Sequence, residues 1–316
     1  MNRANYNKYK FLLPVVILLS SLIFVSVASP GFFSAGNILN VLEACAVIAI
    51  PAMGLAGIMI SGSFDLSFVG VIGLTAVAAI RFIEMGVPFP IVLLMTLILA
   101  LVCEAINVFV IVKLKVHPWL ATIATMLMLV GLEESISKGE YLALNHPFFD
   151  FIRFEDILWI PVSVLCMIIV VVFFIFFYSK TKTGTHIYAI GGNHEAAKKA
   201  GINTERLQAL VFFMMGGLAW VASIIYLSNL SGYPPEAAYI NQLEVILAVF
   251  FGMSISKKNV INMPGTLIGS VFVLLLSNGM GLMGVNSYWI KLIEGCLVIV
   301  VIIGNSLGRE EIVEYE

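Results

Sequence analysis

A chain of 316 residues that is 60% hydrophobic and only 11% charged, with a mean hydropathy of +1.04, cannot give a water-soluble domain an ordinary polar surface. Composition therefore excludes a soluble enzyme and predicts an all-α, polytopic transmembrane helix bundle. The formal net charge of −2 carries little by itself, because in a membrane chain the placement of charge matters more than its sum, and no nucleic-acid partner is expected.

Each span needs about 20 apolar residues to cross a hydrocarbon core of about 30 Å. The chain offers about ten, at 11–29, 40–60, 66–84, 89–112, 119–137, 157–178, 207–229, 241–256, 264–282 and 288–305, within one membrane domain over 1–316. The first follows Arg3, Lys8 and Lys10. Its apolar run exceeds the roughly 7–15 residues of a signal peptide, and Pro30-Gly31 is a poor cleavage site, so it reads as a retained span.

Between the second and third spans, "ISGSFDLSFVG" places Gly62, Ser63, Asp65 and Ser67 where two helices meet, with Gly70 beyond. Gly62 and Gly70 permit non-helical backbone there, and irregular backbone at membrane depth survives only inside protein or beside water. An ionised Asp65 facing lipid would cost about 2.5–3.5 kcal/mol, so it must face protein, a cavity or the aqueous boundary. The alternative is a turn residue at the headgroups. Further along, Asn107, Thr122, Thr125 and Asn278 interrupt apolar helices. With Asp65 and Ser67 they are candidate lining of a translocation pathway, although hydrogen bonding between helices would explain them as well. Glu43, Glu104, Glu244 and Glu294 lie on four different spans without a common depth, which favours structural roles over a proton relay.

With the N-terminus inside, Lys113, Lys115, Lys180, Lys182, Lys198, Lys199, Arg206, Lys257, Lys258 and Arg309 all fall on the cytoplasmic face. That asymmetry predicts an even number of crossings with both termini cytoplasmic. The external loop 138–156 and the joint "SGYPPEAAY", stiffened by Pro234 and Pro235, are candidate docking surfaces or simply hydrated connections.

The cytoplasmic loop 179–206 holds "YAIGGNHEAAKKAGIN". It reads as a very short helix with Asn193 as N-cap, Glu195 in the first turn, Lys198 and Lys199 in the last, and Gly201 at the stop. Its Ala196, Ala197 and Ala200 lack the large apolar anchors of a helix lying on lipid, and suit insertion into a partner's groove. A second break is expected from Asn259 to Pro264. Cys45, Cys103, Cys166 and Cys296 are scattered singly, as expected of buried free thiols.

Chemistry is harder to find. There is no phosphate-binding G-x-x-x-x-G-K-[ST] loop, no H-E-x-x-H pair among His117, His146, His186 and His194, and no G-x-S-x-G elbow. No catalytic group and no metal site are expected.

Four segments together resemble the membrane-spanning permease of bacterial ABC importers in the ribose/xylose/arabinose/galactose branch. "SGSFDLSFVG" is similar to that family's "GGIDLSVG" through Gly62, Asp65, Leu66, Ser67 and Gly70. Asn107 with "HPWLATIATM" resembles its "N-x-x-x-V…PPFIATLGTM". Tyr188 to Ile202 matches "YAIGGNxEAAxxSGI" almost residue for residue, and Gly265 to Trp289 resembles "GxLIGxxxxxxLxNGxxLxGVxSxW". Two departures stand out: Phe64 replaces the usual Ile, and "FGMSISKKNVINMPGT" replaces a glycine-rich segment, with Lys257, Lys258 and Asn259 where flexible glycines are usual.

The resemblance implies a bacterial inner-membrane permease for a small sugar, pentose or hexose. It makes Gly192, Asn193, Glu195, Ala196, Ala197 and Gly201 part of a coupling helix seated on separate ABC ATPase subunits, which would carry the ATP and Mg while this chain holds no cofactor. It also implies an extracytoplasmic substrate-binding protein and a second permease copy or close paralogue. A secondary transporter driven by an ion gradient is the alternative reading, since broken helices at mid-membrane suit it too.

Overall fold

The computed structural model describes residues 31–157, 159–256 and 260–313, with side chains to residue 303, and scattered positions between Val16 and Ser29. Most of the expected first span, and Lys257, Lys258 and Asn259 of the second expected break, lie outside the described residues. The chain is mostly helical. In order, the principal helices are α1 (Ala35–Ile60), α2 (Phe68–Glu84), α3 (Phe89–Val108), α4 (Pro118–Ser137), α5 (Pro147–Phe154), α6 (Val162–Lys180), α7 (Lys182–Gly192), α8 (His194–Lys199), α9 (Thr204–Leu230), α10 (Ala237–Ile240), α11 (Gln242–Ile255), α12 (Met263–Leu282) and α13 (Ser287–Val313). A π-helical turn, Phe109–Lys113, extends α3.

Among the described residues, seven helical segments are long and apolar enough to cross a membrane: Ala35–Ile60, Phe89–Lys113, Pro118–Ser137, Val162–Lys180, Thr204–Leu230, Ala237–Ile255 and Met263–Leu282. The helix α2 is apolar but only 17 residues long. Its run from Phe68 to Ile80 is buried without interruption, so it is enclosed by α3, α4 and α9, which pack against it, and needs no lipid-facing stripe. The sequence extended the sixth span back to 157. The structure begins it at Val162, because Asp156–Ile157 and Ile160–Pro161 instead form a small hairpin.

The chain forms two compact units, one of Met53–Gln242 and one of 1–52 with 243–316. In the first, α9 also packs on α3, and the two loops that follow α4 and α9 are stitched together. Leu142–Ala143 pairs antiparallel with Gly232–Tyr233. Tyr141 donates its hydroxyl to the Leu230 and Ser231 carbonyls at 2.9 Å, and Arg153 of α5 donates to the Ser231 hydroxyl. Glu133 Oε1 accepts from the Glu236 amide at 3.0 Å, and the Tyr233 hydroxyl accepts from the Ala238 amide at 3.1 Å. Such bonds satisfy loop backbone that lipid could not.

In the second unit, α11 and α12 meet through small residues. A side chain on Gly269 would strike the Ala248 carbonyl oxygen, and Gly252 and Gly265 lie backbone to backbone, the close approach that drives helix association when lipid offers no hydrophobic contrast. Around it pack Phe32, Leu247, Phe251, Phe272, Val273, Leu276, Met280 and Val301. Asn262 caps α12 by accepting from the Gly265 amide at 2.8 Å. The four cysteines are free, but only Cys45 and Cys103 are buried; Cys166 is half-buried and Cys296 exposed.

Candidate functional site

The break between α1 and α2 closes on a buried polar cluster. Helix α1 stops at Gly62, which adopts φ +80°. The Gly62 amide bonds the Met59 carbonyl at 3.1 Å and the Ser63 amide bonds the Ile58 carbonyl at 3.2 Å, the paired bonds that satisfy a helix C-terminus around a left-handed residue. Asp65 then turns back: its Oδ1 accepts from the Ser67 amide at 2.7 Å and the Ser67 hydroxyl at 2.6 Å, an aspartate turn that starts α2. Asn107 of α3 donates its Nδ2 to the Ser67 hydroxyl at 2.7 Å and to Glu104 Oε2 at 2.9 Å.

Asp65, Ser67, Glu104 and Asn107 are each 0% exposed. Asp65 Oδ2, Glu104 Oε1 and Asn107 Oδ1 have no hydrogen-bond partner in the protein, so the cluster is rich in acceptors and short of donors. Around the turn, Gln242 Nε2 donates to the Leu66 carbonyl at 3.3 Å. Phe64 packs on Trp119 at the start of α4, with ring centroids 4.8 Å apart. Glu104, one of four acids that the sequence places on different spans in structural roles, is thus a neighbour of Asp65 through Asn107 and Ser67. Its spacing three residues before Asn107 on one helix face was the signal that could have found it.

The other expected pathway residues separate. Thr122 and Thr125 are buried on α4, and the Thr122 hydroxyl donates to the Pro118 carbonyl of its own helix at 3.0 Å. Asn278 lies in the other unit, in a reciprocal amide pair with Asn37 of α1: the two bonds are 2.9 and 3.0 Å. Gly70 does not loosen the backbone as expected. It sits inside α2, where a side chain would meet Leu129 Cβ at 2.7 Å and the Met126 carbonyl at 3.3 Å, so it serves close packing with α4.

The short helix in the loop 179–206 forms as its caps dictate. Asn193 Oδ1 accepts from the Ala196 amide at 2.9 Å. Gly201, at φ +83°, donates to the Lys198 carbonyl at 3.0 Å, and Ile202 to the Ala197 carbonyl at 3.1 Å, closing both ends of a single helical turn and a half. Gly192, Asn193, Glu195, Ala196 and Gly201 are exposed, whereas Ala197 is only 5% exposed and faces its own chain. The residues expected to form a coupling helix therefore divide: Ala196 is exposed, as is the neighbouring Ala200, whereas Ala197 seats the helix on its own chain. Burial raises the Tyr188 phenol on α7 above its ordinary value. Beside the loop, Lys113 and Glu205 form an exposed ion pair at 3.3 Å, of the kind that contributes about 0–1 kcal/mol. Among the described residues no group of three His, Cys, Asp or Glu could hold a metal ion.

Residues 37–302 match the family model described as the branched-chain amino acid transport system / permease component. The ribose import permease protein RbsC of Haemophilus influenzae is 29% identical over 98% of each chain. That of Bacillus subtilis is 31% identical over 92% of this chain and 91% of its own, and the xylose transport system permease protein XylH of Escherichia coli 26% identical over 96% and 93%. A helical, multi-pass membrane chain matched over most of its length in this way belongs to the branched-chain amino acid transport system / permease component family.

Proposed function

We propose that this chain is the permease subunit of an ATP-driven, binding-protein-dependent importer of a small sugar in a bacterial inner membrane. The observation that carries the reading is the helix α8: rigidly capped at both ends, exposed along Ala196 and Ala200, and placed in a chain with no phosphate-binding loop of its own. Such a helix suits a groove on a separate ATPase. The relatives named for ribose and xylose make a pentose the first substrate class to try.

In this reading there are about ten spans with both termini cytoplasmic, two permease chains enclose one pathway, and a soluble protein delivers substrate to the face carrying residues 138–161 and 231–242. The permease makes and breaks no covalent bond. ATP binding and hydrolysis on the partner bias it between inward-open and outward-open states. Asp65, Ser67 and Asn107 hold the break that has to move, and Thr122, Thr125 and Asn278 stiffen the helices around the pathway.

Reconstitution into proteoliposomes with its ATPase and binding protein tests this, with labelled ribose and xylose as probes. ATP-dependent uptake that vanishes when the ATPase is omitted is the expected result. Uptake driven by an ion gradient with no ATPase present would overturn it.

A further inference from the structure

The loop helices do more than hang from the bundle; one of them is jammed against the cluster's own hinge. Helix α7 is held at both ends by glycine. At its start, a side chain on Gly184 would strike Tyr178 Cα at 2.6 Å and the Tyr178 carbonyl oxygen at 2.8 Å, while the Thr181 hydroxyl accepts from the Gly184 amide at 3.0 Å. Tyr178 in turn reaches α1, where a side chain on Gly57 would collide with its hydroxyl and meet its Cζ at 3.1 Å. At the far end of α7, a side chain on Gly191 would collide with the Ile60 carbonyl oxygen and meet the Ile60 carbonyl carbon at 2.9 Å and the Gly62 amide nitrogen at 3.2 Å. Gly191 therefore touches α1 at the very turn, Ile60 to Ser63, from which the chain runs to Asp65.

The chemistry of that contact matters. Side-chain contacts yield by changing rotamer, but a backbone-to-backbone contact has no rotamer to change, and close-packed interiors transmit displacement. Only Ser63 and Phe64 separate Gly62 from Asp65, whose carboxylate is tied through Ser67 to Asn107 on α3. A movement of α8 passes to α7 with nothing but Asn193 between them.

We propose that Gly191 is a positioning residue for transport, the rigid contact by which movement of α8 is delivered to the Ile60–Gly62 turn and so to the Asp65–Ser67–Asn107 cluster. The inference rests on α8 being the ATPase-docking helix. It adds the route inward and the residue on which that route depends.

The test uses the complex of full-length permease and its ATPase in nanodiscs, with Cys45, Cys103, Cys166 and Cys296 replaced by serine and Ser63→Cys as reporter. The rate of methanethiosulfonate labelling at position 63 is compared without nucleotide and with ATP plus vanadate. In the Gly191 parent the two rates should differ by about fivefold or more, the lower end of ordinary coupling. Gly191→Val should keep the ATPase bound and hydrolysing ATP, yet bring the ratio of rates close to one. Ala189→Leu, which adds the same three carbons on the exposed side of α7, should leave the ratio as in the parent.

A Gly191→Val complex that keeps the parent's ratio overturns the proposal, and so does loss of the ratio in Ala189→Leu. Should Gly191→Val fail to assemble, Gly191→Ala is read by the same criterion. Failure of both to assemble would make Gly191 a folding contact and reject the transmission role. If the parent itself binds its ATPase but shows no nucleotide response, or does not bind it at all, the coupling reading of α8 falls, which is a different result from a responsive parent with a responsive Gly191→Val.

Discussion

Asn107→Leu separates the two roles that the buried cluster combines, because leucine keeps a γ-branched side chain while removing the two donated hydrogen bonds together with the unpartnered Oδ1. Asn107 donates to Ser67 at 2.7 Å and to Glu104 at 2.9 Å. Bonds between helices in a membrane contribute about 0.6 kcal/mol on average and at most about 1.7. The substitution also strips Glu104 Oε2 of this donor while Glu104 Oε1 already lacks a partner, and an orphaned buried acceptor costs about 1–3 kcal/mol. The expected destabilisation is about 2 kcal/mol, most of it from Glu104 and not from Ser67. A double-mutant cycle with Ser67→Ala isolates the bond between helices, since that bond is broken in either single variant. The coupling energy should lie at about 0.6–1.7 kcal/mol. Unfolding in mixed micelles, followed by tryptophan fluorescence as denaturing detergent is titrated, measures all four corners of the cycle. Additivity of the two substitutions to within about 0.3 kcal/mol would mean that Ser67 and Asn107 do not hold α2 to α3, and the account of the break would fail with it.

Ala196→Trp, on the free face of α8, should leave the isolated permease as heat-stable as the parent while abolishing co-purification of the ATPase; an intact complex would move the docking face elsewhere. Ala197→Trp, on the seated face, should instead lower the melting temperature of the permease alone, as read by fluorescence-detected size exclusion. Asn37→Ala and Asn278→Ala should each cost about 0.5–1.5 kcal/mol, with the double variant little worse than either single one, and a fully additive double variant would argue against the paired amides. On the loop after α9, a hydrogen bond with the Glu134 carboxyl, together with partial burial and the charge of Glu134, raises Glu236 above the ordinary carboxylate range. A raised carboxyl contributes stability below its unfolded value that is lost as pH rises through its folded one. Thermal stability should therefore decline over that interval in the parent and decline less in Glu236→Gln, whose amide supplies a permanent donor; identical slopes would remove the shared-proton contact.

Much of the architecture was legible because the bilayer imposes it. Apolar runs near 20 residues announce spans whatever they pack against, and the caps of α8 are local chemistry, so Asn193 and Gly201 stand where the sequence puts them. What was not legible depends on which face a residue turns inward. Ala196 and Ala197 are adjacent and identical, yet one is free and the other seated. Asp65 announces a buried break, but its own surroundings do not name Glu104, about forty residues on; only the spacing of Glu104 to Asn107 points to it. Gly62 and Gly70 both suggested loosened backbone; only Gly62 takes a left-handed conformation, and Gly70 is a packing surface within a regular helix.

The pair Gly191-Gly192 carries the same lesson into mechanism. By composition the two are one motif, and either could be explained as flexibility at the mouth of a short helix. Their surroundings differ completely: nothing lies within 4 Å of where a side chain on Gly192 would start, while Gly191 is pressed on the carbonyl group of Ile60. Alanine at 192 meets open space, and alanine at 191 must push either α7 or the end of α1 aside. If flexibility were the reason for both glycines, the two alanine variants would behave alike. If the contact is the reason for Gly191, only Gly191→Ala should alter the nucleotide response at position 63, and it should do so without releasing the ATPase from α8.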